Sequence, residues 1–127
     1  MQNYILKQIC RLNNSYFPNS HTTLRRLQEK TTKVFYISKN RKVVGYCILS
    51  WPLDAVTLTY IGVVREYRKK HIGSRLIKRA IKWCTTKWNC PLFTYTSIYN
   101  TVSMNMLIKN GFLIEYATTR WVYFRIN

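Results

Sequence analysis

Carboxylates are scarce in this sequence. Its 127 residues include 21 lysines and arginines but four acids, which gives a formal net charge of +17. The acids are Glu29, Asp54, Glu66 and Glu115. Such a surface repels polycations and attracts polyanions, so we expect a nucleic acid, a ribonucleoprotein, an acidic protein or a phosphate-rich cofactor as partner. A codon bias towards Lys, Asn, Ile and Tyr is the alternative explanation of the charge.

The cysteines lack the paired spacing of a metal site. Cys10, Cys47, Cys84 and Cys90 form no CxxC pair, and the sequence has two histidines. A zinc site needs paired cysteines or several histidines. We therefore expect no metal, and we interpret the cysteines as reduced thiols of a cytoplasmic protein.

Long apolar runs are absent as well. The longest, VVGYCILSWPL, contains a proline and is too short to cross a bilayer. The first residues, MQNYILKQICRL, show no long apolar core and no small-residue cleavage site, so they do not resemble a signal peptide. These features predict a cytoplasmic protein without a membrane anchor.

Periodicity predicts a single mixed α/β domain over residues 1–127. Alternating or β-branched segments predict strands at 3–9, in two arms of 33–51, at 55–63, at 92–98 and in two arms of 112–126. A tight turn is predicted at residues 39–41. Helices are predicted from Ser20, as N-cap, to about residue 30, over 73–88, and from the N-cap Asn100 to Gly111.

One of the four glycines marks a candidate anion site. Gly73 follows the strand at 55–63 and begins the helix at 73–88, and five of the thirteen residues in REYRKKHIGSRLI are Arg or Lys. Backbone N–H groups at a helix start have no intrahelical partner and carry the positive end of the dipole, so they bind phosphate. Glycine allows the backbone to approach closely, and Arg68, Lys69 and Lys70 add positive charge. A glycine-containing loop beside a solvated basic helix is the structural alternative.

The surrounding sequence resembles the GNAT superfamily of N-acetyltransferases. The run YIGVVREYRKKHIGSRLI is similar to that family's acyl-CoA-binding segment, in which a strand ending in Val leads into an R/Q-x-x-G-x-G/A loop and a helix. Arg68 occupies the Arg/Gln position and Gly73 the second glycine position. The segment NTVSMNMLIKNGF also resembles the family's next strand-to-helix stretch, and the element order covers nearly the whole chain.

The resemblance implies a fold and a cofactor. The fold is a central, mostly antiparallel sheet flanked by helices, with the fourth and fifth predicted strands, 55–63 and 92–98, splayed apart. The cofactor is acetyl-CoA or another acyl-CoA, whose pantetheine arm would lie in the gap and pair with main-chain groups of Ile61 and Val63. The implied cofactor-binding residues are Ile61, Val63, Arg68, Lys69, Lys70, His71, Ile72, Gly73, Ser74 and Asn100.

Two positions depart from the family pattern. The first loop glycine is His71; if that position needs a positive φ, a non-glycine residue costs about 1 kcal/mol. His71 could add a proton-dependent cation beside phosphate, or be simply a strained variant of the loop. The position from which many members donate a proton to the leaving thiolate through a tyrosine is Leu107, which cannot donate one.

Acid–base roles must then come from another tyrosine, from water or from the substrate. The strand position at which some members place a Glu is Tyr95. Tyr95, Tyr99 and His21 are the catalytic candidates, with Tyr60 and Tyr116 as further tyrosines. The alternative for each tyrosine is a core or rim aromatic, and for His21 a solvated loop residue; residues of these types more often have those roles. A thioester is already activated, so positioning an amine against it could supply much of the acceleration.

The remaining cations suggest a macromolecular acceptor. Helix 73–88 carries a basic face, and aromatic residues elsewhere could stack on bases. The basic face comprises Arg75, Lys78, Arg79 and Lys82; further cations are Arg25, Arg26, Lys30, Lys39, Arg41 and Lys42; the aromatics are Tyr16, Phe17, Trp51 and Tyr99. Three hypotheses stay open: an enzyme acylating an amine on a protein or peptide, an enzyme acylating an amine borne by nucleic acid, and a non-catalytic nucleic-acid-binding module on a degenerate fold of this family.

Overall fold

A computed structural model describes residues 2–127, which form four α-helices, a short 3-10 helix and six strands in one sheet. The helices are α1 (Asn3–Tyr16), α2 (Leu24–Leu27), α3 (Ile72–Trp88) and α4 (Thr101–Lys109), and the 3-10 helix is Arg65–Tyr67. The strands are β1 (Thr32–Lys39), β2 (Lys42–Ser50), β3 (Val56–Val63), β4 (Leu92–Ser97), β5 (Leu113–Ala117) and β6 (Trp121–Ile126).

The sheet has the predicted mixed, mostly antiparallel character. Its strand order is β1-β2-β3-β4-β6-β5. The neighbouring strands pair antiparallel except β3 and β4, which are parallel and joined through α3. The predicted strands 55–63 and 92–98 correspond to β3 and β4, and the predicted hairpin 33–51 to β1 and β2. Its turn is tight because Asn40 and Arg41 both adopt positive φ, at 52° and 66°.

The prediction of a strand at 3–9 is wrong, because these residues begin α1. Ile5, Leu6 and Ile9 are buried at helical spacing, and Asn13 continues that face one turn later. A seven-residue window could not separate this pattern from alternation. The N-cap of the next helix is Thr23 rather than Ser20: its hydroxyl accepts a hydrogen bond from the Arg26 N–H at 3.2 Å.

The helices cover the two faces of the sheet unequally. One core lies beneath α1 and α2, against β1 to β3, and includes Ile9, Leu27 and Tyr46. The other core lies beneath α3 and extends to β4 and β6 through Leu76, Phe124 and residues around α4. The face of β4, β6 and β5 on the α1 side consequently carries exposed aromatic side chains. Within residues 2–127, no helix combines the length and apolar character needed to cross a membrane.

Candidate active site

The sheet opens between β3 and β4. The two strands pair only from Val56 with Leu92 to Leu58 with Thr94, although both continue beyond that point. The register between β2 and β3 shifts at Thr59, an extra residue opposite Ile48 and Leu49. Such a bulge bends its strand and increases its twist. Because β3 bends at this point, the strands splay and leave a gap, as the family resemblance implied.

Backbone groups line the gap on the β3 side. The Val64 N–H donates to the Val44 carbonyl of β2 at 2.8 Å. Successive residues in an antiparallel ladder direct their N–H and C=O groups to opposite sides, so Val63 and Ile61 direct theirs towards the gap. The Val63 carbonyl accepts a hydrogen bond from Arg68 Nε at 2.9 Å, which fits this orientation. An extended ligand in the gap could therefore pair with the main-chain groups of Ile61 and with the Val63 N–H, while the Val63 carbonyl is engaged by Arg68.

The loop after β3 is built from unusual backbone conformations. Lys69 and His71 have positive φ, at 62° and 64°. The position of His71 does require a positive φ, the condition considered from the sequence, and this residue is the N-cap of α3. Arg68 folds back over the Tyr16 ring, with 5.5 Å from its guanidinium carbon to the ring centroid. Its side chain braces the end of β3 as well as adding charge to the loop.

The start of α3 presents free backbone donors. The first bond of the helix runs from the Arg75 N–H to the His71 carbonyl, so the amides of Ile72, Gly73 and Ser74 have no acceptor within the helix. A Cβ on Gly73 would lie 2.8 Å from the sulfur of Met106. A larger residue here would have to displace the flexible Met106 side chain, so Gly73 favours the close packing of α3 on α4, a reason that the sequence alone did not indicate.

A basic cleft of about 510 Å³ continues from these amides between α3 and α4. Its lining residues are His71, Ser74, Arg75, Lys78, Lys109, Asn110 and Gly111. The Asn110 side chain ties the walls together by donating from Nδ2 to Ser74 Oγ at 3.2 Å. Free amides at the helix start beside three exposed cations, Arg75, Lys78 and Lys109, form an environment suited to several phosphate groups. The basic face predicted for α3 is thus divided, since Arg79 lies elsewhere and donates to the Tyr36 carbonyl.

Tyrosines flank the gap on the sheet face opposite to α3. Tyr60 follows the bulge and donates its hydroxyl to the Ser20 carbonyl at 3.2 Å, while its ring packs on Phe17 at 5.1 Å between centroids. Tyr95, on β4, is 42% exposed. Partial burial, with nearby Tyr60 and Tyr123, raises the pKa of Tyr95 above its usual value. Tyr95 therefore stays protonated at neutral pH and is a weaker acid than a solvated tyrosine.

Comparison with known proteins identifies the family. Residues 6–112 match the acetyltransferase (GNAT) family. The chain belongs to the acetyltransferase (GNAT) family. A 59-residue segment is 32% identical to streptothricin acetyltransferase A of Bacillus subtilis (strain 168), covering 46% of this chain and about a third, 34%, of that relative's length. The resemblance inferred from the sequence is confirmed.

Solved GNAT structures share the whole fold. The ribosomal-protein-S18-alanine N-acetyltransferase of Escherichia coli superposes with a TM-score of 0.80 at 16% identity, covering 99% of this chain and 89% of that one. The PaiA N-acetyltransferase of Thermoplasma acidophilum, solved with coenzyme A, gives a TM-score of 0.77 at 15% identity and covers 98% and 94%. The splayed strands, free amides and cationic cleft of this chain fit coenzyme A, with its pantetheine arm and phosphates.

Other predicted site residues take structural places in this GNAT domain. The Asn100 side chain caps α4 by accepting the Ser103 N–H at 3.1 Å, so its amide oxygen is already engaged. Leu107, in the tyrosine position of many members, is buried in the core. Tyr99 is 83% exposed, and His21 is exposed in the connection between α1 and α2. Lys69 and Lys70 lie exposed on the loop, with the Lys70 ammonium 5.3 Å from the Tyr67 ring centroid.

Two features of the site were missed from the sequence. Buried Thr94 marks the point where β3 and β4 part, and its hydroxyl donates to the Leu58 carbonyl at 2.9 Å. The Thr59 bulge shifts the apolar period: Leu58 and Ile61, three residues apart, both contact the core under α3. That break in strict alternation was the available signal for the bulge.

Proposed function

We propose that this protein is an acetyl-CoA-dependent N-acetyltransferase. The observation that carries this proposal is the combination of the gap beside Ile61 and Val63, the free amides at the start of α3 and the basic cleft next to those amides. Acetyl-CoA supplies an activated thioester. In the transfer, a bond forms between the acceptor nitrogen and the acetyl carbon, the carbon–sulfur bond breaks, and the proton lost by the amine ends on the coenzyme A thiol.

The chain's own contribution is mainly positional. The bent end of β3 would hold the acyl group in the gap. The acceptor would approach from the sheet face that carries Tyr60 and Tyr95. Correct placement of two reactants can supply a large part of the barrier reduction. Tyr95 is our candidate for returning a proton to the leaving sulfur because it follows Thr94, the last residue of β4 paired with β3, and so lies beside the gap.

We further propose that the acceptor amine is carried by a polyanionic macromolecule. Small polycationic acceptors need clustered carboxylates, and none of the four acids of this chain lies on β3 or β4. Glu115, on β5, is already paired with Arg125 at 3.6 Å. The E. coli neighbour is named for a ribosomal-protein acceptor, but at 16% identity that likeness shows the fold alone; the acceptor proposal therefore depends on charge.

Calorimetric titration with acetyl-CoA tests the cofactor site. Lys78→Ala removes a cation from the basic cleft, whereas Lys82→Ala removes one from the same helix one turn further on, outside the cleft. We expect Lys78→Ala to weaken binding about fivefold or more, as the loss of a partly exposed charge-assisted contact does. Lys82→Ala should bind like the wild type. Equal affinities for both variants would remove the cleft from the site.

A non-catalytic nucleic-acid-binding module is the second candidate. The observation favouring it is Leu107, buried where many members place the tyrosine that protonates the thiolate. The same titration separates the two functions, because a pure binding module has no need of a cofactor site. Failure of the folded wild-type protein to bind acetyl-CoA would favour this module.

A further inference from the structure

Three tyrosines form a row across the uncovered half of the sheet. Tyr95 on β4 is the register partner of Tyr123 on β6, which is in turn the partner of Tyr116 on β5. The Tyr95 and Tyr123 rings stack with centroids 5.7 Å apart at 29°. Those of Tyr123 and Tyr116 lie 4.4 Å apart at 15°. We refer to these three residues as the tyrosine row.

Both ends of the tyrosine row are open. Tyr95 borders the gap between β3 and β4, and Tyr116 lies on the edge strand, with no strand beyond it. Tyr116 is 55% exposed and Tyr95 42% exposed. Helices α1 and α2 pack over β1 to β3 and so leave this half of the face uncovered. A planar group can therefore stack on the outer ring face of Tyr116 and extend the row.

The charge around the tyrosine row favours an anion. Glu115 is the one acid on β4, β5 or β6, and Arg125 neutralises it at 3.6 Å. The Arg125 guanidinium also lies 5.5 Å from the Phe93 ring centroid on β4. Arg120, exposed in the connection between β5 and β6, adds a further cation at this end of the sheet. With Glu115 and Arg125 paired, Arg120 leaves this aromatic surface with a net positive charge, and the surface offers both the charge and the planar faces that unpaired, phosphate-linked bases need.

We propose that the tyrosine row is a stacking platform for the unpaired bases of a single-stranded nucleic acid, which brings its amine to the gap. The part about the amine rests on the proposed transferase function; the platform itself does not. An acidic peptide would satisfy the cations but would leave the stacked rings without planar partners. Bases of a duplex are already stacked on one another and cannot lie flat on a sheet. The observations therefore favour a single strand over both.

Fluorescence anisotropy with a labelled, mixed-sequence single-stranded RNA of about 12 nucleotides tests the proposal. We compare the wild type, Tyr116→Ser, Tyr116→Phe and Tyr4→Ser. Tyr4 is the matched control because it is 48% exposed, close to the 55% of Tyr116, but lies on α1. We expect Tyr116→Ser to raise Kd about tenfold, the cost of one lost base–aromatic stack, while the other two variants stay within about twofold of wild type.

Two results would overturn the proposal. Equal Kd values for all four proteins would mean that RNA binds through general charge alone. Polyglutamate is the probe for an acidic protein. If it displaces the RNA, and if Tyr116→Ser weakens polyglutamate binding as much as RNA binding, the surface would be assigned to an acidic protein. The salt dependence of Kd should stay the same in Tyr116→Ser, since no charge is removed.

This test is independent of the cofactor test. RNA binding that depends on Tyr116, without acetyl-CoA binding, would support the stacking platform and refute the proposed transferase function. Acetyl-CoA binding without RNA binding that depends on Tyr116 would refute the stacking platform and still support the transferase function.

Discussion

Gly62 on β3 offers a sharp test of how the bent strand is held. A Cβ at this position would lie 2.6 Å from Cε1 of Tyr46 and 2.7 Å from its Cζ and Oη. The Tyr46 ring is fully buried, and its hydroxyl donates to Asn13 Oδ1 at 2.8 Å. Because that ring is fixed at both ends, Gly62→Ala forces β3 itself to move.

Two opposing effects determine how much Gly62→Ala changes the free energy of unfolding. Overpacking of a buried site costs about 1–3 kcal/mol, while Gly→Ala reduces the entropy of the unfolded chain and returns about 0.4–1 kcal/mol. The midpoints of these ranges give an expected loss of about 1.3 kcal/mol in the free energy of unfolding for Gly62→Ala. The acetyl-CoA affinity should fall as well, since Ile61 and Val63 flank this residue.

A double-mutant cycle in urea, followed by tryptophan fluorescence, assigns the cost to the ring. Tyr46→Ala alone leaves a cavity and should cost about 3–5 kcal/mol. In combination with Gly62→Ala, the total should be about 1–3 kcal/mol less than the sum, because the new methyl enters the vacated space. Tyr46→Phe keeps Cε1 and Cζ and should therefore show a smaller coupling.

Two outcomes would refute this reasoning. A Gly62→Ala protein as stable as the wild type would mean that the ring or the strand yields without cost. Strict additivity in the cycle with Tyr46→Ala would mean that the loss of stability arises somewhere other than at this contact.

Two further predictions concern backbone strain and alkaline pH. His71→Gly relieves the strain of a left-handed non-glycine residue but adds chain entropy to the unfolded state. A thermal melt should therefore show a free energy of unfolding higher by up to about 1 kcal/mol. A clear decrease in that free energy would show that the His71 side chain stabilises the loop. Burial raises the pKa of Cys47 from 9.0 to about 12, and the unfolded chain therefore loses this proton first as pH rises. Stability should fall between about pH 9 and 12 with a slope of about 1.4 kcal/mol per pH unit for this group, and Cys47→Ala should show a shallower slope.

The sequence predicted most elements because their patterns were long or well marked. The apolar stripe of α3 fixed a helix at 73–88, one residue from its observed start at Ile72. Asn100 was correctly predicted as the cap of α4, and Gly111 ends the helix with φ at 97°. The segment 3–9 failed because its pattern is too short to separate period two from period 3.6. The reduced state of the cysteines, the domain bounds 1–127, the cytoplasmic location and the roles of individual site residues remain predictions.

The candidate site was predictable only in part. The loop from Arg68 to Ser74 was recognised because its residue types and spacing reflect local needs: a positive φ, free amides and nearby charge. The roles of Asn100 and Leu107 became clear only once capping and burial were known. The tyrosine row escaped because it depends on strand register: Tyr95 is distant in the chain from the other two, and Tyr116 and Tyr123 face each other only through the pairing of β5 with β6.

By itself, the sequence determined the family, the strand–loop–helix segment for phosphate and the strongly positive charge. These are set by residues near one another in the chain, or by composition. Only the tertiary structure decided where β3 bends, which face of the sheet stays open and which tyrosines stack. Those features depend on pairings between distant segments, and a shift of one residue in register would have moved each side chain to the other face.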